Sequence, residues 1–302
     1  MRVFVTGASG FIGSAVVREL LGAGHEVVGL ARSEESVATV SAAGAQVFRG
    51  SLDDPDSLAQ GAALCDGVIH LAYKHDFTDM AAAAQDDLRA VEAMGAVLEG
   101  SNKPLVITTG TLALAFGFTS PIVGRSGTEV DVPDIAGPRI ISERAALALA
   151  QRGVRTSTIR LSPSVHGRDD HGFVPRLIAI ARAKGVSAFV GDGANRWPAV
   201  HRLDAAILFR LALEHATAGS TFHGVGDEGI AFADIAGAIG RHLGVPVTSI
   251  TGDEAGDHFG FMSVFVALDN PTSSRLTQDR LGWQPVQPGL LVDLEEGHYF
   301  QS

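Results

Sequence analysis

The feature that most constrains this chain is a glycine-rich loop near its start, Thr6-Gly7-Ala8-Ser9-Gly10-Phe11-Ile12-Gly13. The loop follows an apolar run over 2–6, which predicts a strand, and opens a segment over 11–22 with one apolar helical face. In such a unit the three glycines permit a tight turn, approach of the backbone to a diphosphate, and close packing of helix on strand. The pattern therefore predicts a dinucleotide site at the N-terminus of a helix, formed by Gly7, Ser9, Gly10, Phe11, Ile12 and Gly13. An ordinary strand–turn–helix without a ligand is the alternative.

The rest of the first half alternates short β-branched runs with helical patterns. Strands are predicted over 26–30, 45–49, 68–72, 105–108, 156–161 and 221–225. This alternation predicts an α/β fold with a Rossmann-type, doubly wound parallel sheet. After residue 165 it loosens, which predicts a dinucleotide-binding domain over 1–165, with 199–226 returning to it, and a smaller C-terminal substrate lobe over 166–198 and 227–302.

The charge balance narrows the range of partners. The net charge is −11 and the sequence has no block of Lys and Arg, which disfavours nucleic acid. No apolar stretch approaches the roughly 20 residues needed to cross a bilayer, and the start has no signal-peptide pattern. We therefore expect a cytoplasmic protein with a small-molecule substrate, and leave a homodimer open.

The residues at the end of the second predicted strand indicate whether the protein binds NAD or NADP. A carboxylate there binds the ribose hydroxyls of NAD, whereas an arginine accommodates the 2′-phosphate of NADP. The run is Leu30-Ala31-Arg32-Ser33, so Arg32 and Ser33 favour NADP(H) over NAD(H). The alternative is that Arg32 is a solvated loop charge.

Further segments, taken together with the glycine loop, resemble the extended and atypical short-chain dehydrogenase/reductase superfamily, in its epimerase/dehydratase-like branch. They are Gly50-Ser51-Leu52-Asp53, Val68-Ile69-His70-Leu71-Ala72, the stretch Arg160–Gly167, the stretch Trp197–Asp204 and Arg280-Leu281-Gly282-Trp283-Gln284-Pro285. The resemblance covers nearly the whole chain. It implies that Ser51 and Leu52 flank the adenine, although the family usually has Asp in place of Ser51. It also implies that Leu71 and Ala72 line the ribose and nicotinamide, and that Pro163 and Val165 lie beside the nicotinamide.

The main departure from the family is the missing Tyr-x-x-x-Lys pair, in which the lysine lowers the pKa of the catalytic phenol. The corresponding stretch, Pro138–Ala146, offers either Arg139 and Glu143 or Ile140 and Arg144, depending on a one-residue shift of alignment. The only tyrosines of the chain are Tyr73 and Tyr299.

Other residues are candidates for the chemistry. Thr109 and Thr111 end the fifth predicted strand, where the resemblance implies a hydroxyl that binds the substrate oxygen; they could instead satisfy backbone groups. Arg144 could hold the cofactor ribose or stabilise an oxyanion, or it could be a surface charge on an amphipathic helix. His75 could donate a proton, and Tyr73 could replace the missing phenol, or both could be ordinary loop residues.

The second half carries a polar set. It comprises His166, Asp169, Asp170, His171, Arg196 and His201. No spacing matches a helix-borne metal site, so we predict no metal and interpret the set as pocket polarity. Phe173, Trp197 and Phe259 are the expected apolar walls of that pocket.

Two functions of different classes remain. The first is an NADP(H)-dependent oxidoreductase acting on a small carbonyl or alcohol, with an epimerase or dehydratase variant of the same hydride chemistry. The second is a sensor that binds the dinucleotide without turning it over. The missing pair favours the sensor, whereas the His, Arg and Thr residues at the predicted nicotinamide edge favour the enzyme.

Overall fold

The computed structural model describes residues 1–75, 79–115, 125–132 and 139–301. Its main feature is a seven-stranded sheet in the order β10-β6-β5-β4-β1-β2-β3, with every neighbouring pair parallel. The strands of this sheet are β1 Arg2–Thr6, β2 Glu26–Ala31, β3 Gln46–Arg49, β4 Gly67–His70, β5 Pro104–Gly110, β6 Arg155–Leu161 and β10 Ser220–Gly224. The doubly wound parallel sheet predicted from the alternating pattern is confirmed.

Helices cover both faces of this sheet. They are α1 Phe11–Gly22, α2 Glu34–Ala42, α3 Pro55–Ala63, α4 Met80–Ala96, α5 Ile140–Ala150 and α7 Arg202–His215. Apolar residues of α1, α2 and α7 form one buried core with the sheet, and those of α3, α4 and α5 form the other. Both faces of the central strands are thus removed from water, which explains their continuous apolar runs.

The second half builds a separate core. It uses β7 Ser164–His166, β8 Ser187–Val190, β9 Arg196–His201, β11 Asp227–Ala231 and β12 Val247–Ile250, with α6 Phe173–Lys184, α8 Phe232–Leu243, α9 Gly252–Phe259, α10 Ser263–Val266, α11 Arg275–Leu281 and α12 Leu290–Glu295. Strands β7, β9 and β11 form a three-stranded sheet, and β8 pairs with β12. The predicted return of residues 199–226 to the first domain corresponds to α7 and β10, while β9 pairs in the smaller sheet.

Trp197 and Phe259, expected as pocket walls, lie in this second core instead. Trp197 is completely buried against Phe173 and Phe232, and Phe259 is buried against Phe232. Their bulk fills the space between α6, α8 and α9, where burial of an aromatic side chain contributes most to stability. Trp197 is therefore a core residue rather than a pocket wall, whereas Phe259 lines a small cavity of this second core beside Phe232 and Ile239.

Candidate functional site

The glycine loop has the geometry that a diphosphate requires. Gly7 has a φ of +68°, and the Gly10 amide donates to the Gly7 carbonyl at 2.9 Å. A Cβ on Gly13 would lie 1.9 Å from the Gly7 carbonyl oxygen, so no larger residue fits there. Helix α1 begins at Phe11 with no side-chain cap and no acidic residue in its first turn. The open N–H groups and the helix dipole make this end of α1 suited to an anion such as the cofactor diphosphate.

A buried relay holds this loop against β4. The Leu71 and Ala72 amides donate to Thr6 Oγ1, both at 3.2 Å, so the Thr6 hydroxyl donates to His70 Nδ1 at 2.7 Å. His70 then donates through Nε2 to Asp87 at 3.2 Å. Burial raises the pKa of the Asp87 carboxyl, but the hydrogen bonds from His70 and Ser142 and the charges of His70 and Arg139 together outweigh burial, and the net pKa is lowered. The sequence analysis missed this relay, whose signal was polar residues at the ends of two buried strands.

Leu71 and Ala72, expected to line the cofactor, stand directly beside the loop. A Cβ on Gly7 would lie 2.8 Å from the Ala72 nitrogen, so the chain leaving β4 and the turn after β1 are in contact. Pro163 lies between β6 and β7, and Val165 packs partly buried against the main core. Their roles toward the nicotinamide stay predictions.

The end predicted to bind the adenine and its ribose carries several charges. Arg32 and Ser33 are exposed, and Ser33 caps α2 by accepting from the Ser36 amide at 3.2 Å. Ser51 accepts from the Asp53 amide at 3.2 Å, while Leu52 packs against the α3 and α4 side of the sheet. Lys74 forms ion pairs with Asp53 and Asp86 and so joins the loops that follow β3 and β4.

Next to the end of β5, a tyrosine and an arginine are stacked. Arg139 donates to the Thr108 carbonyl at 2.5 Å, and its guanidinium carbon lies 3.9 Å from the centre of the Tyr73 ring. Among the described residues, the buried Nε of Arg139 has no acceptor. Burial raises the pKa of Tyr73 and outweighs the Arg139 charge, which acts in the opposite direction. The phenol therefore stays protonated at neutral pH.

His75 lies edge-on to Tyr73, with the ring centres 5.2 Å apart, and is exposed. Partial desolvation lowers the pKa of His75, and the positive charges of Arg139, Arg176 and His171 lower it further. The imidazole is therefore mainly neutral at pH 7, which makes it a weaker proton donor than the sequence analysis supposed.

The two predicted threonines are used inside the protein. Thr109 is buried and donates to Glu143 at 3.3 Å, and Thr111 is completely buried and accepts from Asn270 at 3.1 Å. Glu143 also forms a buried ion pair with Arg160, which donates from its third nitrogen to the Asp131 carbonyl at 2.8 Å. These contacts favour structural roles for both hydroxyls.

Helix α5 places the two pairs of residues that the sequence left open in different surroundings. Arg139 and Glu143 face the end of β5, whereas Arg144 is exposed on the opposite side of the helix. The spacing of four residues places Arg139 and Glu143 on one helical face, and Arg144 is rotated away from it. The role suggested for Arg144 is therefore not supported by its position.

The polar set of the second half splits into separate contacts. His166 is buried and pairs with Asp293 at 2.8 Å, and its ring lies 5.3 Å from that of His201. Asp170 accepts from the Tyr299 hydroxyl at 3.0 Å. Arg196 pairs with Asp269 at an exposed site, so it does not belong to a pocket. Asp169 and His171 remain near the glycine loop, because His171 lies 5.7 Å from the Phe11 ring.

Comparison with known proteins agrees with this fold. An uncharacterized protein of Schizosaccharomyces pombe is 53% identical over 301 residues, covering 99% of this chain and 100% of that protein. A 2-alkyl-3-oxoalkanoate reductase of Stenotrophomonas maltophilia is 28% identical and covers 74% of this chain and 68% of its own. The UDP-glucose 4-epimerase structure from Thermotoga maritima superposes with a TM-score of 0.78 at 19% identity, covering 99% and 98% of the two chains.

Within the described ranges, no helix combines the length and apolar character needed to span a bilayer. The sequence pattern of the family described as NAD dependent epimerase/dehydratase matches residues 3–224, which include the glycine loop, β4, the Tyr73–Arg139 stack and α5. Members of this family bind nicotinamide dinucleotides. The resemblance expected from the motifs is thus confirmed, and the chain belongs to the NAD-dependent epimerase/dehydratase family.

Proposed function

We propose that this protein is an NADP(H)-dependent oxidoreductase that acts on a small carbonyl or alcohol, with Tyr73 as its proton donor. The observation that carries the proposal is the stack of Arg139 on Tyr73 beside the end of β5. The Tyr-x-x-x-Lys pair of the family consists of a phenol and a cation. This chain has both groups, but they come from different elements of the fold. The phenol comes from the loop after β4, and the cation stands at the start of α5.

The bound dinucleotide supplies the hydride in the reducing direction and accepts it in the oxidising direction. Tyr73 holds its proton at neutral pH and gives it to the substrate oxygen as negative charge develops there. Arg139 stabilises the resulting phenolate by its positive charge. Its Nε–H, which has no acceptor among the described residues, is a fixed donor for the phenolate oxygen. Arginine cannot itself be the acid, because it does not lose its proton in proteins.

Preference for NADP(H) is part of the proposal. Arg32 is exposed at the end of β2, and Arg49 lies on the neighbouring strand, since Ala31 pairs with Arg49 in the β2–β3 register. The Arg32 guanidinium suits a 2′-phosphate, whereas Arg49 is already paired with Glu34. The 3-oxoalkanoate reductase among the relatives supports a carbonyl substrate.

The test compares Tyr73→Phe with His75→Gln. NADPH oxidation is followed with a panel of small aldehydes, ketones and 3-oxoacids. Tyr73→Phe should lower turnover by roughly 10²-fold and leave NADPH affinity unchanged. His75→Gln, which removes the neighbouring titratable ring, should lower turnover by less than about tenfold.

The pH profile separates the two donors. With Tyr73 as donor, the reduction rate should be flat from about pH 6 to 9, because the phenol remains protonated. With His75 as donor, the rate should rise as the pH falls below about 6.5, because its lowered pKa leaves the acid form scarce at neutral pH. Full activity of Tyr73→Phe would exclude the phenol. Binding of NADPH without turnover of any carbonyl would favour the sensor.

A further inference from the structure

Arg202, the first residue of α7, is a partly buried cation whose guanidinium makes no hydrogen bond within the described part of the chain. Its side chain is 13% exposed, and the nearest carboxylate, Asp169, is 4.0 Å away and itself 80% exposed. Among the described residues it makes no hydrogen bond that meets ordinary geometry. Removing a charge from water costs several kcal/mol unless it is paired. The donors of the Arg202 guanidinium are thus available to an anion.

The position of Arg202 identifies which anion. Its guanidinium carbon lies 4.9 Å from the centre of the Phe11 ring, and Phe11 is the first residue of α1. Helices α1 and α7 pack side by side, so Arg202 stands next to the uncapped N–H groups described above. His171 lies against the edge of the same ring. Phe11 is thus flanked by two basic side chains.

The surroundings keep Arg202 in this place. Gly167 has a φ of +136°, and a Cβ there would lie 3.3 Å from Arg202 Cγ and 3.0 Å from His201 Nε2. The Gly167 amide donates to Tyr299 at 3.0 Å, and Tyr299 donates to Asp170, which also accepts from the Gly172 amide at 2.6 Å. Asp170 is therefore occupied by the protein, and of the two acidic residues Asp169 alone faces the guanidinium.

We infer that Arg202 binds the diphosphate of the dinucleotide, together with the N-terminus of α1. The glycine loop supplies backbone donors from one side, and Arg202 closes the site from the side of α7. This role is separate from the proposed recognition of the 2′-phosphate by Arg32, which directly follows β2. It is also separate from the chemistry at Tyr73.

The experiment measures affinities by calorimetry for Arg202→Gln, Arg202→Lys and the control Arg18→Gln. Arg18 is exposed on α1 and lies within electrostatic range of Arg202, so its replacement changes the charge equally but not the contact. The ligands are NADPH, ADP-ribose and 2′-AMP. ADP-ribose has the diphosphate without nicotinamide, and 2′-AMP has a phosphate only on the 2′ position.

Arg202→Gln should weaken NADPH and ADP-ribose by about tenfold or more and leave 2′-AMP within about twofold, because a charge-assisted hydrogen bond is lost only for the first two. Arg202→Lys should keep most of the affinity, and Arg18→Gln should bind all three ligands as the wild type does. Thermal unfolding of each variant checks that the fold is intact. Wild-type affinity of Arg202→Gln for ADP-ribose would overturn the inference, as would an effect confined to the KM of the carbonyl substrate. If wild-type protein bound ADP-ribose but turned over no carbonyl, only the proposed reaction would fail.

Discussion

Replacing Glu143 by glutamine tests whether this buried carboxylate balances the charge of Arg160. Glu143 accepts from Arg160 through both carboxylate oxygens and from Thr109, and the Arg160 and Glu143 side chains are 1% and 7% exposed. Glutamine keeps the shape of the side chain but removes the charge that balances Arg160. The guanidinium would then remain buried beside a neutral amide.

The expected loss is large because the pair is buried. Breaking one partner of a buried ion pair costs about 3–5 kcal/mol of the free energy of unfolding. For 302 residues, the entropy of unfolding near 60 °C is about 0.6 kcal/mol/K, so the melting temperature should fall by about 5–8 °C. Urea unfolding at 25 °C and calorimetry give the two measurements independently.

Two further variants make the result decisive. Glu143→Met combined with Arg160→Met removes both charges and should be less destabilised than either single variant, because no charge is left unpaired. Glu34→Gln breaks the exposed pair with Arg49, and its melting temperature should equal that of the wild type. A loss below about 1 kcal/mol for Glu143→Gln would refute the view that Glu143 exists to neutralise Arg160.

Three other outcomes are expected. Gly13→Ala should abolish NADPH binding in calorimetry, because its Cβ would lie 1.9 Å from the Gly7 carbonyl oxygen, whereas Gly22→Ala in the same helix, where a Cβ meets nothing, should bind normally. Burial lowers the pKa of His223 to about 3, so below about pH 6.5 the unfolded chain binds a proton that the folded protein excludes. The free energy of unfolding should therefore fall by up to about 1.4 kcal/mol for each pH unit toward acid. In urea unfolding, the free energy of unfolding of His223→Gln should depend less steeply on pH. Arg32→Ala should bring NADPH affinity down to that of NADH in a fluorescence titration; equal affinities in the wild type would make Arg32 a loop charge only.

The sequence by itself determined the fold class and the dinucleotide loop. Both depend on local information: the alternation of apolar strands with amphipathic helices, and glycines spaced over eight residues at a strand–helix junction. The resemblance to the family followed from motifs in the same order along the chain, and the match of the family pattern to residues 3–224 confirms it. The missing Tyr-x-x-x-Lys pair was also visible in the sequence, as was the presence of Tyr73 after β4.

Only the tertiary structure decided which polar residues meet. Thr6 and His70 are 64 positions apart, and Thr108 and Arg139 are 31 apart, yet each pair is joined by a hydrogen bond. The packing of α5 on α4 and β6 places Glu143 against Thr109 and Arg160 and leaves Arg144 exposed. Burial then removed Thr109 and Thr111 from the solvent, although the sequence placed them at a strand end. The sequence shows which side chains stand at the end of a strand. The orientation of those side chains and their removal from water depend on segments that are distant in the sequence and pack against them.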